Sequence, residues 1–399
     1  NHAVVGDANV SPNKYKRFLN WASHDNPDGV PIVHDAFDQE SCGSCWAFAA
    51  AGSLEASASR RAAFIAYDTY RTSRRNPINV NLTVEEEAIA VAQRVQRRAM
   101  KVLNLSVQEL LDCDSITDQG CVGGNPLLAF YYIHQNGLVS WEDYPYKAKA
   151  DTCEIDATQN PVATVKSWGM IQSNHEKHME LALRYIGPIA VGINGDNNEF
   201  LAYSGGIFDS PRCKQKANHA LLIVGYGEEE NRDGEIVKYW IARNSWGTGW
   251  GENGFVRIKR GDGHSGIPGV CGVAKNPSVA LGGVLLRDTA YVFNESGLLA
   301  RGFRMEGICT HFGFNVSSTN SCESVVQFVG AHKALVLGLI GVFCGLILIW
   351  PLSMDVRRRR QRRRMQKLRQ EENLKNSSKQ GIVTEDTPLL PESSKTPTT

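Results

Sequence analysis

The stretch Gln39 to Phe48 reads QESCGSCWAF and sets two cysteines three apart, directly before a tryptophan. A C-x-x-C pair serves as a redox couple, as half of a zinc site, or as one structural cysteine beside one reactive one. A redox pair of the thioredoxin kind follows a strand within a βαβ unit. A zinc site needs two further ligands, usually a second close pair. Neither set of partners is evident, since Cys113 and Cys121 have no metal-like spacing. The reading that remains makes Cys45 a nucleophile at the start of a helix and Cys42 a structural staple.

The chemistry of a thiol nucleophile then sets what else to look for. A thiol attacks a carbonyl as its thiolate. A helix N-terminus and a nearby imidazolium lower the pKa of cysteine from ~8.5 to as little as ~3–4. CWAFAA turns helical at Cys45, so a lowered thiol pKa is expected there. The nucleophile also needs a histidine held by a third group. His219 heads the β-like run HALLIVGYG, and Asn244 in ARNSWGTGWG is placed to accept a hydrogen bond from that imidazole. The other histidines lack a neighbouring nucleophile or metal spacing; His175 and His178, three apart, read as surface residues. No cofactor and no metal is expected.

QESCGSCWAF, CVGGNP, NHALLIVGYG and NSWGTGWGENGF, taken in this order, resemble the papain family of cysteine proteases, of the cathepsin L-like kind. The resemblance covers residues 18–282. It implies an α+β, two-lobed fold, a helical lobe around Cys45 and a β-barrel-like lobe around His219, with the active site in the cleft between. It implies Cys45 as nucleophile, His219 as base, Asn244 as its orienting partner and Gln39 as an oxyanion donor. Trp246 would shield the His–Asn hydrogen bond, and Gly123 and Gly124 would pair with an extended substrate strand. Asn218 stands before the histidine where Asp or Asn is common. Asn276 maps to the floor of the second subsite, with Gly192 and Ala217 in its wall, a neutral pocket for an apolar side chain. The resemblance also implies the bridges Cys42–Cys121, Cys113–Cys153 and Cys213–Cys271. Glu40 departs from the family, which usually has glycine there. The gaps from Cys45 to His219 and Asn244 are 174 and 199 residues, against roughly 130–150 in the family. The excess points to an insertion in the helical lobe at about residues 61–105, containing the double arginines Arg74-Arg75 and Arg97-Arg98. The pair Arg60-Arg61 sits at its start. These pairs read as solvated basic faces rather than as processing sites.

Local patterns predict helices over Cys45–Arg60 and Val84–Leu103, the second with acidic residues early and basic ones late, as the helix dipole prefers. HALLIVGYG, KYWIARNSWG and GFVRIKRG predict strands.

The 399 residues carry a net charge of only +1, so no bulk electrostatic case exists for nucleic acid. That total hides an asymmetry: from Ser353 onward there are 12 Lys/Arg against 6 Asp/Glu. Ala334 to Leu352, ALVLGLIGVFCGLILIWPL, is uncharged and about long enough to cross a ~30 Å hydrocarbon core. The arginine block Arg357–Arg364 follows it, the pattern of a single-pass type I anchor. Residues 1–17 read as an N-terminal extension, a remnant of a processed form, with leader and prosegment outside the sequence. Residues 283–332 read as a stalk in which Cys309 and Cys322 pair. Residues 333–353 read as the membrane helix and 354–399 as a disordered cytosolic tail. Ten cysteines and the sequons at Asn81, Asn104, Asn294 and Asn315 favour a secretory route. Glu385, Leu389 and Leu390 match an acidic dileucine signal read by clathrin adaptors, which predicts endosomal or lysosomal delivery, with the plasma membrane as the alternative. Two rivals to the protease reading are a catalytically silent membrane receptor or scaffold, and a peptide ligase on the same fold.

Overall fold

The computed structural model describes residues 14–263 and 265–293. The chain divides into two units, 1–304 and 305–399, and all described residues belong to the first. The expected membrane helix, the tail and its dileucine pair, most of the stalk with Cys309 and Cys322, and Asn294 and Asn315 lie outside the described residues. Among those described, no helix is long and apolar enough to cross a membrane.

In chain order the elements are α1 (Lys14–Arg17), β1 (Leu19–Asn20), α2 (Cys45–Ser73), α3 (Val84–Val102), α4 (Val107–Cys113) and α5 (Pro126–Asn136). Then come β2 (Ala163–Met170), α6 (Glu176–Tyr185), β3 (Ile189–Ile193), α7 (Asn198–Leu201), β4 (Ile207–Phe208) and β5 (His219–Glu230). The series ends with β6 (Ile236–Arg243), β7 (Phe255–Lys259), β8 (Ser278–Leu285) and α8 (Thr289–Phe293). Helices dominate the first half and strands the second, the order expected of an α+β fold.

The strands form one ladder in the order β2-β8-β3-β5-β6-β7-β4, with β1 added alongside β5. All pairings are antiparallel except β4 with β7. Two cores flank the site. One packs sheet residues such as Val191, Ile223, Trp240 and Ile258 with Trp21 and Leu183. The other packs helical residues such as Trp46, Leu54, Leu110 and Phe130 with Val165 and Leu285 from the outer strands. Between them lies a small cluster of Ala49, Ala190 and Ala220, with Cys45 packed on it.

Helix α2 can lie close to the sheet because its inner face is small. A Cβ on Gly283 of β8 would stand 2.4 Å from the backbone N of Ala58. The Gly283 N–H donates to Ser57 Oγ at 3.0 Å, and the Ala280 N–H to Ser53 Oγ at 3.2 Å. Short side chains thus bring the helix near enough for its hydroxyls to reach strand backbone.

Helix α2 does not end near Arg60; it continues to Ser73. The reason lies in Ala62, Ala63, Ala66, Tyr67 and Tyr70, which recur at helical spacing and bury against the second helix. Arg60 is not free surface either. Its guanidinium pairs with Asp28 at 3.0 Å and lies 4.5 Å from the Trp21 ring centre. The insertion is therefore a helical hairpin, α2 running out and α3 running back. Ala63, Tyr67, Tyr70, Ala88, Ile89 and Ala92 form its own small core. Thr83 caps α3 in a reciprocal box with Glu86. Gln96 anchors the returning helix, donating to Asp28 at 2.8 Å.

The boundary expected at 282 falls inside β8. The fold continues through α8, where Val292 and Phe293 bury in the helical core. Those two apolar side chains carry the domain past the point where sequence pattern placed a stalk.

Candidate active site

Cys45 is the first residue of α2, half-buried, and free of disulfide bonding. Cys42 is bonded to Cys121, Cys113 to Cys153, and Cys213 to Cys271. The C-x-x-C pair is thus divided into a staple and a free thiol. Gly43 between them is required by space: a Cβ there would stand 2.6 Å from the Cys121 carbonyl oxygen.

His219 opens β5 and Asn244 follows the end of β6. The antiparallel register that sets Leu222 opposite Arg243 carries the two side chains together. His219 Nε2 lies 2.8 Å from Asn244 Oδ1. That oxygen also accepts from the Ser245 N–H at 2.8 Å. An amide oxygen only accepts, so the imidazole proton sits on Nε2 and Nδ1 keeps its lone pair. The Trp246 indole stacks on the imidazole at 4.6 Å between ring centres. Asn244 Nδ2 is buried with no partner among the described residues.

Gln39 is buried, and its side chain is fixed at both ends. Ser245 Oγ donates to Gln39 Oε1 at 2.6 Å, and Gln39 Nε2 donates to the Cys42 carbonyl at 2.7 Å. The second amide hydrogen is left to point elsewhere. Ser245 and Tyr146 are site residues that sequence reading missed. The Tyr146 hydroxyl donates to the Gln39 carbonyl at 2.8 Å and lies 2.7 Å from Ser44 Oγ. Ser245 sits inside the NSWG motif and was legible there; nothing local marks Tyr146. Gly195 was missed too: a Cβ on it would stand 2.7 Å from His219 Cβ. Asn218 holds that glycine, accepting its N–H at 2.8 Å.

Gly123 has φ +141° and open space where a side chain would stand, whereas Gly124 packs tightly against Trp46 and Asp118. Gly192 and Ala217 are adjacent, 3.1 Å from built Cβ to Cβ. Asn276 is exposed in the turn before β8. Glu40, beside Gln39, has φ +53°, the left-handed conformation that favours the glycine usual in the family. Among the sequons, Asn81 is exposed in the hairpin loop, whereas Asn104 is half-buried and the hydroxyl of its Ser106 caps α4.

Electrostatics correct one expectation. Burial pushes the Cys45 thiol up, outweighing its hydrogen bonds with backbone at Ala220 and in the first helical turn. Burial likewise depresses His219 to about 4, against the raising effect of the Asn244 hydrogen bond. A dry site disfavours either charge alone more than the helix N-terminus favours the thiolate. What the arrangement offers is a thiol at a helix start, an imidazole with its free nitrogen oriented, and an amide donor locked beside them.

A family model described as "Papain family cysteine protease" matches residues 20–72 and 86–281, leaving out the hairpin loop. Vinckepain-1 of Plasmodium vinckei is 33% identical over 265 residues, 60% of this chain and 44% of that protein. Cathepsin S of Bos taurus is 31% identical over 278 residues, 67% of this chain and 70% of its own length. Probable cysteine protease RD21B of Arabidopsis thaliana is 35% identical over 258 residues, 63% and 46% respectively. The chain thus spans less than half the length of two of these relatives. Among solved structures, bromelain of Ananas comosus with the E64 inhibitor is similar at 30% identity and a TM-score of 0.48. It covers 66% of this chain and 98% of its own.

Proposed function

The chain belongs to the papain family of cysteine proteases, and on that premise we propose that it is a thiol endopeptidase working through Cys45, His219, Asn244 and Gln39. The observation that carries the reading is the His219–Asn244 hydrogen bond under the Trp246 indole, with the only free thiol among the described residues packed on the cluster that holds Ala220, the residue after His219. In this mechanism a peptide lies extended along Gly123-Gly124. His219 Nδ1 takes the Cys45 proton as sulfur attacks the carbonyl carbon. The Cys45 N–H and the Gln39 amide hold the oxyanion. His219 returns the proton to the leaving amine, and water then hydrolyses the thioester. Gly192, Ala217 and Asn276 form the second subsite in this reading, taking an apolar side chain.

The test is labelling with an epoxide thiol inhibitor followed by peptide mapping. Label is expected on Cys45 and lost in Cys45→Ser. Label elsewhere, or full peptidase activity in Cys45→Ser, overturns the assignment.

We further propose that the enzyme is anchored by residues 333–353, with the peptidase domain on the lumenal side and residues 354–399 in the cytosol. The uncharged span followed by the arginine block supports this. In the same proposal, glycans at the lumenal sequons and adaptor binding at Glu385, Leu389 and Leu390 route it to an acidic endosome or lysosome.

A further inference from the structure

Beneath the glycines proposed to bind substrate lies a second polar arrangement. After α4 the chain turns through Asp114-Ser-Ile-Thr-Asp118 before reaching Gly123 and Gly124. Both aspartates are buried, at 2% and 6% exposure. Asp118 Oδ1 accepts from the Asn125 N–H at 2.6 Å. The same oxygen lies 2.6 Å from where a Cβ on Gly124 would stand, so this carboxyl group is packed directly against the shelf. Its other oxygen, Oδ2, is buried with no hydrogen-bond partner. Asp114 spends both oxygens on the Thr117 hydroxyl, at 2.8 and 2.9 Å. It also sits at the carbonyl end of α4, which adds negative potential. Neither aspartate has a Lys or Arg partner among the described residues.

An ionised carboxylate with a buried bare oxygen beside a second carboxylate is unfavourable; a proton on it resolves both problems, because O–H then donates to the neighbour. We propose that Asp118 is a positioning residue for the substrate strand: protonated in acid, it donates to Asp114 and seats the Gly123-Gly124 shelf, and loss of that proton to water at higher pH loosens the shelf and weakens peptide binding. Burial first, and then the Asp114 charge, push this carboxyl up to about 7 against the lowering effect of the Asn125 hydrogen bond. The groups facing it are Asp114 and Thr117 from the turn, the Asn125 N–H at the start of α5, and the Trp46 ring from α2; of these only Asp114 is charged. The sign follows: the folded protein holds a proton that the unfolded chain releases at lower pH, so the seated state is favoured in acid and weakened as pH rises toward neutral.

The inference rests on Gly123-Gly124 being the substrate edge, so its test does not use turnover. In a Cys45→Ser background, a fluorescein-labelled leucine-containing peptide is titrated by anisotropy from about pH 5 to about pH 8, with and without Asp118→Asn. Asparagine keeps an acceptor for Asn125 and presents a permanent donor to Asp114. The parent Kd is expected to weaken by roughly three- to tenfold across this range, and the Asp118→Asn Kd to stay flat. Asp114→Asn, which removes the opposing charge, is expected to flatten it too. Infrared difference spectra should show a protonated-carboxyl band lost on raising pH in the parent and reduced in Asp118→Asn, where Glu109, also pushed up to about 7 by burial, still contributes. Parallel Kd profiles in parent and Asp118→Asn, or a band of equal size in the two, overturn the proposal. Failure of the protease reading would appear separately, as an unlabelled Cys45.

Discussion

Cys45 and His219 share a site too dry to favour either charge alone, and this fixes how their reactivity depends on pH. In the proposed mechanism the working form holds one proton between the two groups, on sulfur or on nitrogen. Adding a second proton needs His219 to ionise, which burial defers to about 4. Alkylation of Cys45 by iodoacetamide, which needs no substrate shelf, is expected to proceed in mild acid and fail only below about pH 4. A rate that appears only near the free-thiol pKa of ~8.5 would contradict the pairing. Cys42→Ser, by contrast, removes a bridge and is expected to lower stability by roughly 2–5 kcal/mol, read from denaturant unfolding. Glu40 carries strain of another kind. Glu40→Gly relieves the left-handed backbone at some cost in unfolded-state entropy, a net gain of roughly 0.5–1 kcal/mol. A melting temperature unchanged or lowered would show that the loop holds Glu40 by contacts of its own. These residue-level features were largely legible, because a nucleophile, its base and its orienting amide each sit in a distinctive local string. The thiol's environment was not legible: burial comes from Ala49, Ala190 and Ala220, brought together from three elements.

The hairpin shows where sequence pattern ran out at the scale of elements. The α3 boundaries read well, from an acidic first turn and a threonine cap. Pattern alone ends α2 at a pair of arginines, because a charge looks like an exit to solvent when its aspartate partner lies 32 residues away. The loop closing the hairpin is tied by one carboxylate. Glu87 accepts from the Tyr70 hydroxyl at 2.7 Å and from the Ile78 and Asn79 N–H groups at 2.9 and 2.6 Å. These donors hold it ionised below the usual carboxylate range, the Asn79 N–H foremost. A depressed carboxyl stabilises above its unfolded pKa and loses that effect only as pH falls through the folded one, so the tie persists in mild acid. Glu87→Ala is expected to speed trypsin cleavage at Arg74-Arg75 by roughly fivefold or more while Cys45 labelling is retained. Unchanged cleavage would mean that the tyrosine–alanine packing alone keeps the loop closed.

For the whole molecule, the two-lobed plan followed from the order of the motifs, whereas the domain's end did not, since α8 is short and its burial is tertiary. The proposed topology makes a paired statement about glycans. Asn294 and Asn315 are expected to carry them and Asn376 to be bare, as mapped by deglycosylation and mass spectrometry; a glycan on Asn376 reverses the orientation. Changing Leu389 and Leu390 to alanine is expected to raise the surface-biotinylated fraction, and no increase would remove the tail's role as an address.

Helix α2 is a single rod of 29 residues, with the nucleophile at one end and the hairpin at the other. One residue inserted within it would turn everything beyond by about 100° and advance it by about 1.5 Å, pulling the packed alanines out of phase with the sheet. The same insertion within 74–83 leaves Cys45 where it is. Insertions and deletions in descendants of this gene should therefore collect in that loop and spare the rod. A reporter or affinity tag grafted there should be carried by an enzyme that still reacts normally.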